Sequence, residues 1–505
     1  ATSVMGNYTF KLTFEQYSVI LVCMAFFFTF LRLHEVKVTE KRVFHIAGFI
    51  VVALGCGLFT NQIILSDFME EHQINIRMFR PMESYQKYGG VLTFARSVGY
   101  AVVKKPEGYT TAKVDQIIQE YEKKSANAQQ STAKQYPNII TVVNETFADI
   151  KVLGNFKTNE DYMPYFHSLK KNCVTGYTYA SIVGGQTANT EFELLTGNTL
   201  GFLSAGTTAF QLYIHGQMPS LVSNLKAEGY SGNKAMHPFN PYNYNRPAVY
   251  KDFGFTDFID KFDFPKNVKR VREYISDEAN VDCIISEYEK NRKKTDQPFY
   301  MYNMTIQNHS PYDKDAANFK QPIKIESSKY DAEANRYLNL IKYSDDSLKQ
   351  LTSYFEKCKE PTIILFLGDH QPRLTDEFMN KITNGQYQTW SSEQMMKRYQ
   401  VPFVIWANYD IKEQHIEKTS MNYIQSILTK TAGVKMTGYQ RFLNEVRKEV
   451  PTITSQGYWG KNGKFYQIND KGSPYYGIIQ KYRMIQYNMM FDKKNRRDSF
   501  FEVSK

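Results

Sequence analysis

The sequence predicts an α/β protein with a central, mostly parallel sheet flanked by helices, and two patterns carry that prediction. Short apolar and β-branched runs, typical of buried strands, occupy residues 138–143, 299–306, 362–367 and 402–406. Helical stretches alternate with them at residues 218–228, 332–355 and 422–431. This alternation is typical of parallel strands that are connected through helices.

After residue 435 the pattern changes to short strand-like runs and turns. Asn462-Gly463 lies between the aromatic pairs at 458–459 and 465–466. An Asn-Gly pair between such runs is a strong signal for a hairpin. We therefore expect residues 435–505 to form a small antiparallel subdomain that ends in a basic, solvated tail.

The N-terminal segment contains two long apolar runs, at residues 17–31 and 43–58, and the second extends through residue 65. Each approaches the ~20 residues that cross a bilayer, although a buried core helix is the alternative for either run. Four basic residues lie between the runs and favour a transmembrane hairpin with a cytoplasmic loop: Arg32, Lys37, Lys41 and Arg42. Residues 1–66 are thus predicted to be two transmembrane helices, a fragment of a larger multi-pass membrane domain.

Residues 67–136 are predicted to be a juxtamembrane helical linker. The stretch 90–103 is amphipathic enough to lie on a membrane surface, and a packed linker helix is the alternative. Residues 111–134 read as a polar helix followed by a Ser/Ala/Gln-rich linker. The triplet that ends at Ala128 resembles a signal-peptidase site, which makes proteolytic release near it an alternative outcome. The catalytic domain is then expected at 137–434.

The composition limits the kinds of partner that this chain is expected to bind. Its formal net charge is +11, which suits an anionic membrane or anionic substrates. We expect no nucleic acid partner, because the sequence has no zinc finger, RNA-binding signature or long basic block. The five cysteines form no CxxC pair, so neither a disulfide framework nor a cysteine zinc site is expected, and at most one bridge among Cys173, Cys283 and Cys358 remains.

Candidate metal ligands follow two of the predicted strands. Glu145 comes just after the run at 138–143, and Asp369 and His370 follow the run at 362–367 through Gly368, which we expect to allow a tight turn. Open α/β sheets place ligands at the carboxyl ends of their strands. Carboxylate and imidazole groups there suit a divalent ion. The alternatives are a solvated loop acid and a turn aspartate beside a structural histidine.

Thr187 lies in the segment GGQTANTEFELLTG, at the expected start of a helix over 188–196 that ends at Gly197. Its alternative role is a helix cap. Thr190 with Glu193 forms a capping-box pattern, however, which would leave Thr187 free. A threonine hydroxyl at a helix N-terminus beside a cation can attack phosphorus, and the helix dipole favours a phosphate at that position.

Three further side chains are candidates for substrate binding. His309 follows the strand-like run at 299–306, where an imidazole can protonate a leaving oxygen or bind substrate. Arg246 lies in an aromatic, asparagine-rich loop and suits bidentate binding of phosphate. His237 precedes it. For each of them an ordinary structural or surface role is the alternative.

Taken in order, these motifs resemble the lipoteichoic acid synthase family, membrane-bound phosphoglycerol transferases of Gram-positive bacteria in the alkaline phosphatase and sulfatase superfamily. The matching motifs are NETF around Glu145, GGQTANTEFE around Thr187, Asn-Arg at 245–246 with VYKDFGFTDF after it, NHSPY around His309 and LGDHQPRL around Asp369-His370. The resemblance implies an alkaline phosphatase/sulfatase-like fold and a catalytic domain on the extracellular side of the cell membrane.

The resemblance also implies roles for these residues. Glu145, Asp369, His370 and the Thr187 oxygen would hold one divalent ion, typically Mn²⁺, with Mg²⁺ as the alternative. Thr187 would attack the phosphorus of phosphatidylglycerol and release diacylglycerol. The glycerol phosphate would then pass to polyglycerol phosphate or to a glycolipid or other glycan acceptor.

In the family pattern the remaining candidates serve the substrate. Arg246 and His309 would bind the glycerol phosphate and assist the leaving group, and His237 and Tyr244 would line the same pocket. Tyr244 stands where relatives often carry tryptophan, and NETF replaces a more usual ESF-type sequence. These two departures leave the acceptor open.

Two other functions remain as alternatives. The first is transfer or hydrolysis of another phospholipid head group, such as phosphoethanolamine. Sulfatase action is disfavoured, because Thr187 cannot become the formylglycine that sulfatases use. The second is an inactive module that binds lipid or teichoic acid, which the intact set of Glu145, Thr187, Asp369 and His370 disfavours.

Overall fold

The computed structural model describes residues 24, 25, 28, 42–65, 81–100, 103–125, 135–326, 331–385 and 387–503. The chain divides into two compact units, residues 1–102 and 103–505. Most of the first predicted span (17–31), the loop after it and the linker around Ala128 lie outside the described residues. The predicted domain boundaries stay predictions.

The first unit is helical where it is described. It contains α1 (Arg42–Phe59), a π-helical turn (Thr60–Leu65), α2 (Pro81–Tyr88) and α3 (Gly90–Tyr100). Within the described part of the chain, one helix is long and apolar enough to cross a membrane, at Ile46–Ile63. This segment overlaps the second predicted span. In α3, Val91 and Phe94 are exposed and Thr93 and Ala95 are buried, which agrees with the predicted amphipathic character.

The second unit is built on an eight-stranded sheet. Its strands are β1 (Asn138–Asn144), β2 (Cys173–Tyr179), β3 (Ser231–His237), β4 (Asp257–Asp260), β7 (Phe299–Met304), β8 (Thr362–Gly368), β9 (Gln400–Ala407) and β10 (Gln414–Ser420). Their order in the sheet is β10-β2-β9-β8-β1-β7-β3-β4. Only β9 pairs antiparallel with its neighbours. The predicted mostly parallel sheet is thus confirmed. The carboxyl ends of the other seven strands share one edge.

Helices cover both faces of this sheet. The described α-helices of the second unit are α4 (Thr111–Ser125), α5 (Pro164–Ser168), α6 (Thr187–Thr196), α7 (Ala209–Leu212), α8 (Leu221–Ala227), α9 (Arg246–Phe253), α10 (Asp277–Arg292), α11 (Ala332–Phe355), α12 (Asp376–Ile382), α13 (Ser392–Met395), α14 (Met421–Thr431), α15 (Gly438–Glu449), α16 (Tyr476–Met490) and α17 (Asp498–Phe501). Along β1, Ile139 and Val143 join one hydrophobic cluster and Ile140 and Val142 the other. This alternation is expected of a strand that is buried on both faces.

Two short antiparallel sheets complete the unit. One is the pair β5 (Arg270–Val271) and β6 (Tyr274–Ile275). The other contains β11 (Thr452–Thr454), β12 (Gly457–Trp459) and β13 (Phe465–Tyr466). The turn between β12 and β13 contains Gly463, whose φ is 75°. The hairpin predicted from Asn462-Gly463 is therefore confirmed.

The rest of the C-terminal region differs from the prediction. Helices α15, α16 and α17 occupy much of 435–505, where short strands and turns were expected. These helices pack into the main core, as the rings of Phe442 and Tyr121 show with centroids 4.7 Å apart. The expected solvated tail is also tied down, because Arg497 Nε donates to Asp115 Oδ1 at 2.6 Å. Cys173, Cys283 and Cys358 are free thiols, so the conceivable bridge is not formed.

Candidate active site

Three side chains with metal-binding chemistry converge at the carboxyl edge of the sheet. In the pairing of β1 with β8, Asn144 lies opposite Gly368, so the residues that follow the two strands meet. The ligand atoms of Glu145, Asp369 and His370 all lie within 4.8 Å of one another, and all three side chains are buried. His370 Nε2 lies 3.2 Å from Asp369 Oδ2 and 3.8 Å from Glu145 Oε1.

Hydrogen bonds orient the free ends of Asp369 and His370 toward this cluster. Asp369 Oδ1 accepts from the backbone N–H groups of Thr146 and His370, at 2.7 and 2.8 Å. His370 Nδ1 lies 3.0 Å from the carbonyl oxygen of Gln371. A carbonyl oxygen only accepts, so Nδ1 carries the proton and Nε2 has the lone pair in the neutral ring. A second hydrogen bond of this kind is typical of histidines that bind metal.

The cluster fits a divalent cation. Asp369 Oδ2 and His370 Nε2 are buried and have no hydrogen-bond partner, a state that costs free energy unless another group satisfies them. Burial and the neighbouring Asp369 raise the pKa of Glu145 to about 8. A cation would relieve this crowding of acids. Two carboxylates and an imidazole suit Mn²⁺ or Mg²⁺ better than a structural zinc site.

Glycine at position 368 is explained by a close approach of two backbone segments. A β-carbon on Gly368 would lie 1.8 Å from the carbonyl oxygen of Phe147. Any side chain there would push apart the ends of β1 and β8 that carry Glu145 and Asp369. From the sequence we expected Gly368 to allow a tight turn. The structure explains the glycine by the close approach of the Phe147 backbone instead.

Thr187 is the first residue of α6, as its segment predicted. The turn before it contains Gly184, Gly185 and Gln186, all with positive φ, and α6 ends at Gly197 in the left-handed region. Thr187 Oγ1 donates to Glu145 Oε2 at 3.3 Å. The hydroxyl at the helix N-terminus thus joins the cluster of Glu145, Asp369 and His370.

The predicted capping box of Thr190 and Glu193 is wrong. Thr190 lies inside α6, and its hydroxyl donates to the carbonyl oxygen of Asp369 at 2.8 Å. Glu193 accepts from the Ser181 hydroxyl and the Leu200 N–H. Thr190 therefore fixes the helix against the Asp369 turn.

Arg246 is buried and is held by an acid on α6. Its Nε and Nη2 donate to Glu191 Oε1 at 3.1 and 2.7 Å. The hydroxyl groups of Tyr250 and Tyr302 donate to the other oxygen of Glu191. Glu191 is four residues after Thr187, so the two side chains share a helix face. The guanidinium is thereby fixed one helical turn along the face of α6 that carries Thr187.

The remaining predicted residues lie at the same edge of the sheet, at the end of a strand or after one. Tyr244 has a φ of 60°, and the Arg246 guanidinium lies 5.2 Å from its ring centroid. His237 ends β3, and its Nδ1 lies 3.0 Å from the carbonyl oxygen of Met304. Burial and the charge of Arg246 hold the pKa of His237 well below its usual value. A neutral His237 can therefore accept a hydrogen bond at Nε2.

His309 is half-buried and follows β7. Its Nδ1 lies 2.7 Å from the carbonyl oxygen of Ser310, so Nε2 is the free nitrogen of the neutral ring. The ring stacks on Phe239 with centroids 6.2 Å apart. The structure thus places His309 on the loop after β7 and His237 at the end of β3, and these two strands are neighbours in the sheet. Their roles in substrate binding stay predictions.

The sequence analysis missed the residues that hold these groups. Glu191 gave one usable signal, because its spacing from Thr187 matches one helical turn. Thr305 Oγ1 accepts from the Glu145 N–H at 3.0 Å, and Asn308 Nδ2 donates to the Glu145 carbonyl oxygen at 3.0 Å. Thr305 follows β7 directly, and Asn308 is the first residue of the NHSPY motif, in which only His309 was proposed as a site residue.

Comparison with known proteins agrees with this geometry. The family model described as sulfatase matches residues 137–434. The chain belongs to the sulfatase family. Within it the chain is lipoteichoic acid synthase-like, as the motifs indicated. Members of this superfamily use a divalent metal, which the cluster of Glu145, Asp369 and His370 fits.

Two curated relatives show how far the similarity extends. A "Putative cyclic beta-1,2-glucan modification protein" of Rhizobium meliloti is 31% identical over 433 residues, which are 84% of this chain and 65% of that protein. A "Lipoteichoic acid synthase" of Staphylococcus saprophyticus is 24% identical over 383 residues, 71% of this chain and 55% of that protein. The chain thus spans between half and two thirds of the length of these two relatives.

Two solved structures share the fold. The Streptococcus pyogenes phosphoglycerol transferase GacH, in complex with sn-glycerol-1-phosphate, has a TM-score of 0.64 at 20% identity and covers 80% of this chain and 100% of its own. The lipoteichoic acid synthase LtaP from Listeria monocytogenes has a TM-score of 0.53 at 20% identity and covers 75% of this chain and 98% of its own. The predicted alkaline phosphatase/sulfatase-like fold is confirmed.

Proposed function

We propose that this enzyme transfers glycerol phosphate from phosphatidylglycerol to a cell-envelope glycan through a covalent intermediate on Thr187. One observation carries the proposal. The Thr187 hydroxyl starts a helix, bonds to Glu145 in the metal-binding cluster, and lies one helical turn from the Glu191–Arg246 pair. A nucleophile, a cluster that can hold a cation and a fixed guanidinium are the groups that phosphoryl transfer needs.

The reaction would proceed through two phosphoryl transfers, in which residues of the site give and take the protons. Thr187 Oγ1 bonds to phosphorus while its proton passes to Glu145, its hydrogen-bond acceptor. The bond from phosphorus to the diacylglycerol oxygen breaks, and that oxygen takes a proton from Nε2 of His309 in its doubly protonated form, which leaves the neutral ring. In the second transfer an acceptor hydroxyl gives its proton to His309 and attacks phosphorus. The bond to Thr187 breaks, and Thr187 recovers its proton from Glu145.

Arg246 would bind the phosphoryl oxygens, because Glu191 occupies its Nε and Nη2 and fixes the guanidinium plane. Glu145, Asp369, His370 and the Thr187 oxygen would hold one divalent ion, for which we propose Mn²⁺, with Mg²⁺ as the alternative. When bound, such an ion lowers the pKa of a coordinated hydroxyl and neutralises charge on the phosphate. His237 and Tyr244 would contact the glycerol part of the donor.

Several observations support the choice of donor, acceptor and location. Relatives named lipoteichoic acid synthase favour a phosphatidylglycerol donor and an acceptor that is a glycan or polyglycerol phosphate. The relative named for cyclic beta-1,2-glucan modification covers more of the chain and favours a glucan. The apolar helix at Ile46–Ile63 supports a location at the membrane, with the catalytic unit on the extracellular side.

The test uses the purified chain, Mn²⁺ and phosphatidylglycerol labelled in the head group. We expect diacylglycerol release that is lost in Thr187→Ala and retained in part by Thr187→Ser, which keeps a hydroxyl at the helix start. Labelled glycerol phosphate should stay on the wild-type protein when no acceptor is added. Turnover of phosphatidylethanolamine alone would identify a phosphoethanolamine transferase. Metal-dependent release that survives Thr187→Ala would refute the covalent route.

A further inference from the structure

An exposed aromatic surface borders the candidate site. Among the described residues of the second unit, Tyr242 and Phe262 are the large hydrophobic side chains that are exposed, by 58% and 72%. Tyr242 lies on the loop after β3 and Phe262 on the turn after β4. With the half-buried Phe239 they form what we call the aromatic rim. Single exposed apolar residues are common on protein surfaces, but these lie together at the carboxyl edge of the sheet that carries the site, which indicates a binding surface.

The rim is continuous with the residues proposed to bind the phosphoglycerol group. Phe239 stacks on His309 and lies 6.1 Å, between ring centroids, from both Tyr274 and His237. The Lys261 N–H donates to the Phe239 carbonyl oxygen at 3.4 Å, which connects the two loops. A ligand that lies on the rim therefore reaches toward His309.

Charge decides which kind of ligand suits this surface. Although the chain has a net charge of +11, residues 238–245 carry no charged side chain, and residues 257–264 carry three acids and one lysine. That lysine, Lys261, lies over two rings of the rim, with Nζ 4.9 Å from the ring centroid of Phe262 and 5.9 Å from that of Phe239, so the remaining charges of the segment are acidic. Arg272, the nearby arginine before β6, is occupied by the carbonyl oxygens of Gln307, His309 and Pro311. A polyanion or an anionic bilayer would meet a weakly acidic surface here, which disfavours both.

We infer that the aromatic rim is an acceptor subsite for neutral sugar units, an inference that rests on the proposed function. The C–H faces of pyranose rings pack on exposed aromatic rings, and sugar hydroxyls tolerate neighbouring acids and amides. Tyr and Phe supply such contact area at a low entropic cost. A sugar on the rim would present a hydroxyl toward His309, where the acceptor must lose a proton.

The test measures acceptor binding and transfer separately. A neutral β-linked gluco-oligosaccharide is titrated into the full chain by calorimetry. The protein variants are Thr187→Ala as the parent, and the same parent with Tyr242→Ala, Phe262→Ala or both. We expect each lost ring to weaken binding about three- to tenfold. Phe262→Trp in the same parent keeps an aromatic ring at this position, so it should bind the oligosaccharide as tightly as the parent does. Tyr476→Ala, which removes a half-buried ring at the start of α16, is the control and should bind as the parent does.

The transfer assay uses the same substitutions with Thr187 intact, phosphatidylglycerol and Mn²⁺. The KM for the oligosaccharide should rise by the same factors. Equal affinity in the parent and the double variant would overturn the subsite. Preferential binding of polyglycerol phosphate that needs Lys261, or loss of binding to phosphatidylglycerol vesicles in the double variant, would overturn it in favour of a polyanion or a membrane surface. Failure of diacylglycerol release in the wild type would instead refute the proposed function, while the calorimetry still decides the subsite.

Discussion

The floor and the mouth of the candidate site are built by different means. On the floor, Glu145, Asp369 and His370 are buried. Asp369 and His370 are fixed by hydrogen bonds to backbone groups next to the strand ends, and the Glu145 carboxylate accepts from Thr187 at the start of α6. At the mouth, Tyr242 and Phe262 project into solvent from loops. The contrast indicates that the chemistry depends on the backbone of the sheet, whereas choice of acceptor depends on side chains that can change without affecting the fold.

The largest effect should come from the floor. Asp369→Asn keeps the oxygen that accepts the two backbone N–H groups but removes the charge at the unpaired Oδ2. We expect Mn²⁺ affinity and diacylglycerol release to fall more than about 100-fold, since even outer-shell changes cost 10- to 100-fold. Bound manganese is measured by atomic emission after dialysis.

The control is Asp376→Asn, which changes an exposed acid in the first turn of α12. It should leave manganese content and release unchanged. Without metal, the Asp369→Asn protein should unfold at the same temperature as the metal-free wild type or at a higher one. The reason is that the substitution removes the negative charge of Asp369 next to Glu145. Wild-type manganese content in Asp369→Asn would contradict the assigned cluster.

The position of each floor residue in the sequence determined whether it could be predicted. Glu145, Asp369 and His370 come directly after apolar runs, so the strand ends themselves located them. Thr187 was marked by two glycines before it and a helix after it. For Glu191 the sequence offers only its spacing of one helical turn from Thr187, which is a weak signal because an acid inside a helix is usually solvent-exposed. Only the fold reveals that Arg246 comes from another loop to meet it.

The fold was predicted in part for similar reasons. Strands β1 and β8 are buried on both faces and read as continuous apolar runs. Strands β2, β3 and β10 contain glycine, lysine or other polar residues and gave no such run. Helix α15 was missed although Phe442, Leu443 and Val446 form an apolar stripe at helical spacing. In α16, tyrosine, glutamine and asparagine residues interrupt the apolar stripe that packs on the core.

The pair that connects floor and mouth should show the next largest effect. Glu191→Gln leaves the buried Arg246 without its countercharge, and breaking a buried pair from one side costs about 3–5 kcal/mol. We expect the free energy of unfolding to fall by that amount in urea titrations, together with a loss of catalytic rate. Arg246→Met in the same protein should recover much of the stability but none of the activity. A cost below about 1 kcal/mol for Glu191→Gln would show that the pair is not desolvated.

The smallest effect on stability should come from the mouth. Tyr242→Ala and Phe262→Ala each remove an exposed ring, so the free energy of unfolding should change by no more than about 0.5 kcal/mol. Phe147→Ala is the matched control on the floor: its ring is fully buried and packs on Phe366 with centroids 5.1 Å apart, and its removal should cost about 3–5 kcal/mol. Urea titrations of the three variants measure this difference. A large cost at Phe262 would mean that its ring supports the fold, and the separation of mouth from floor would fail there.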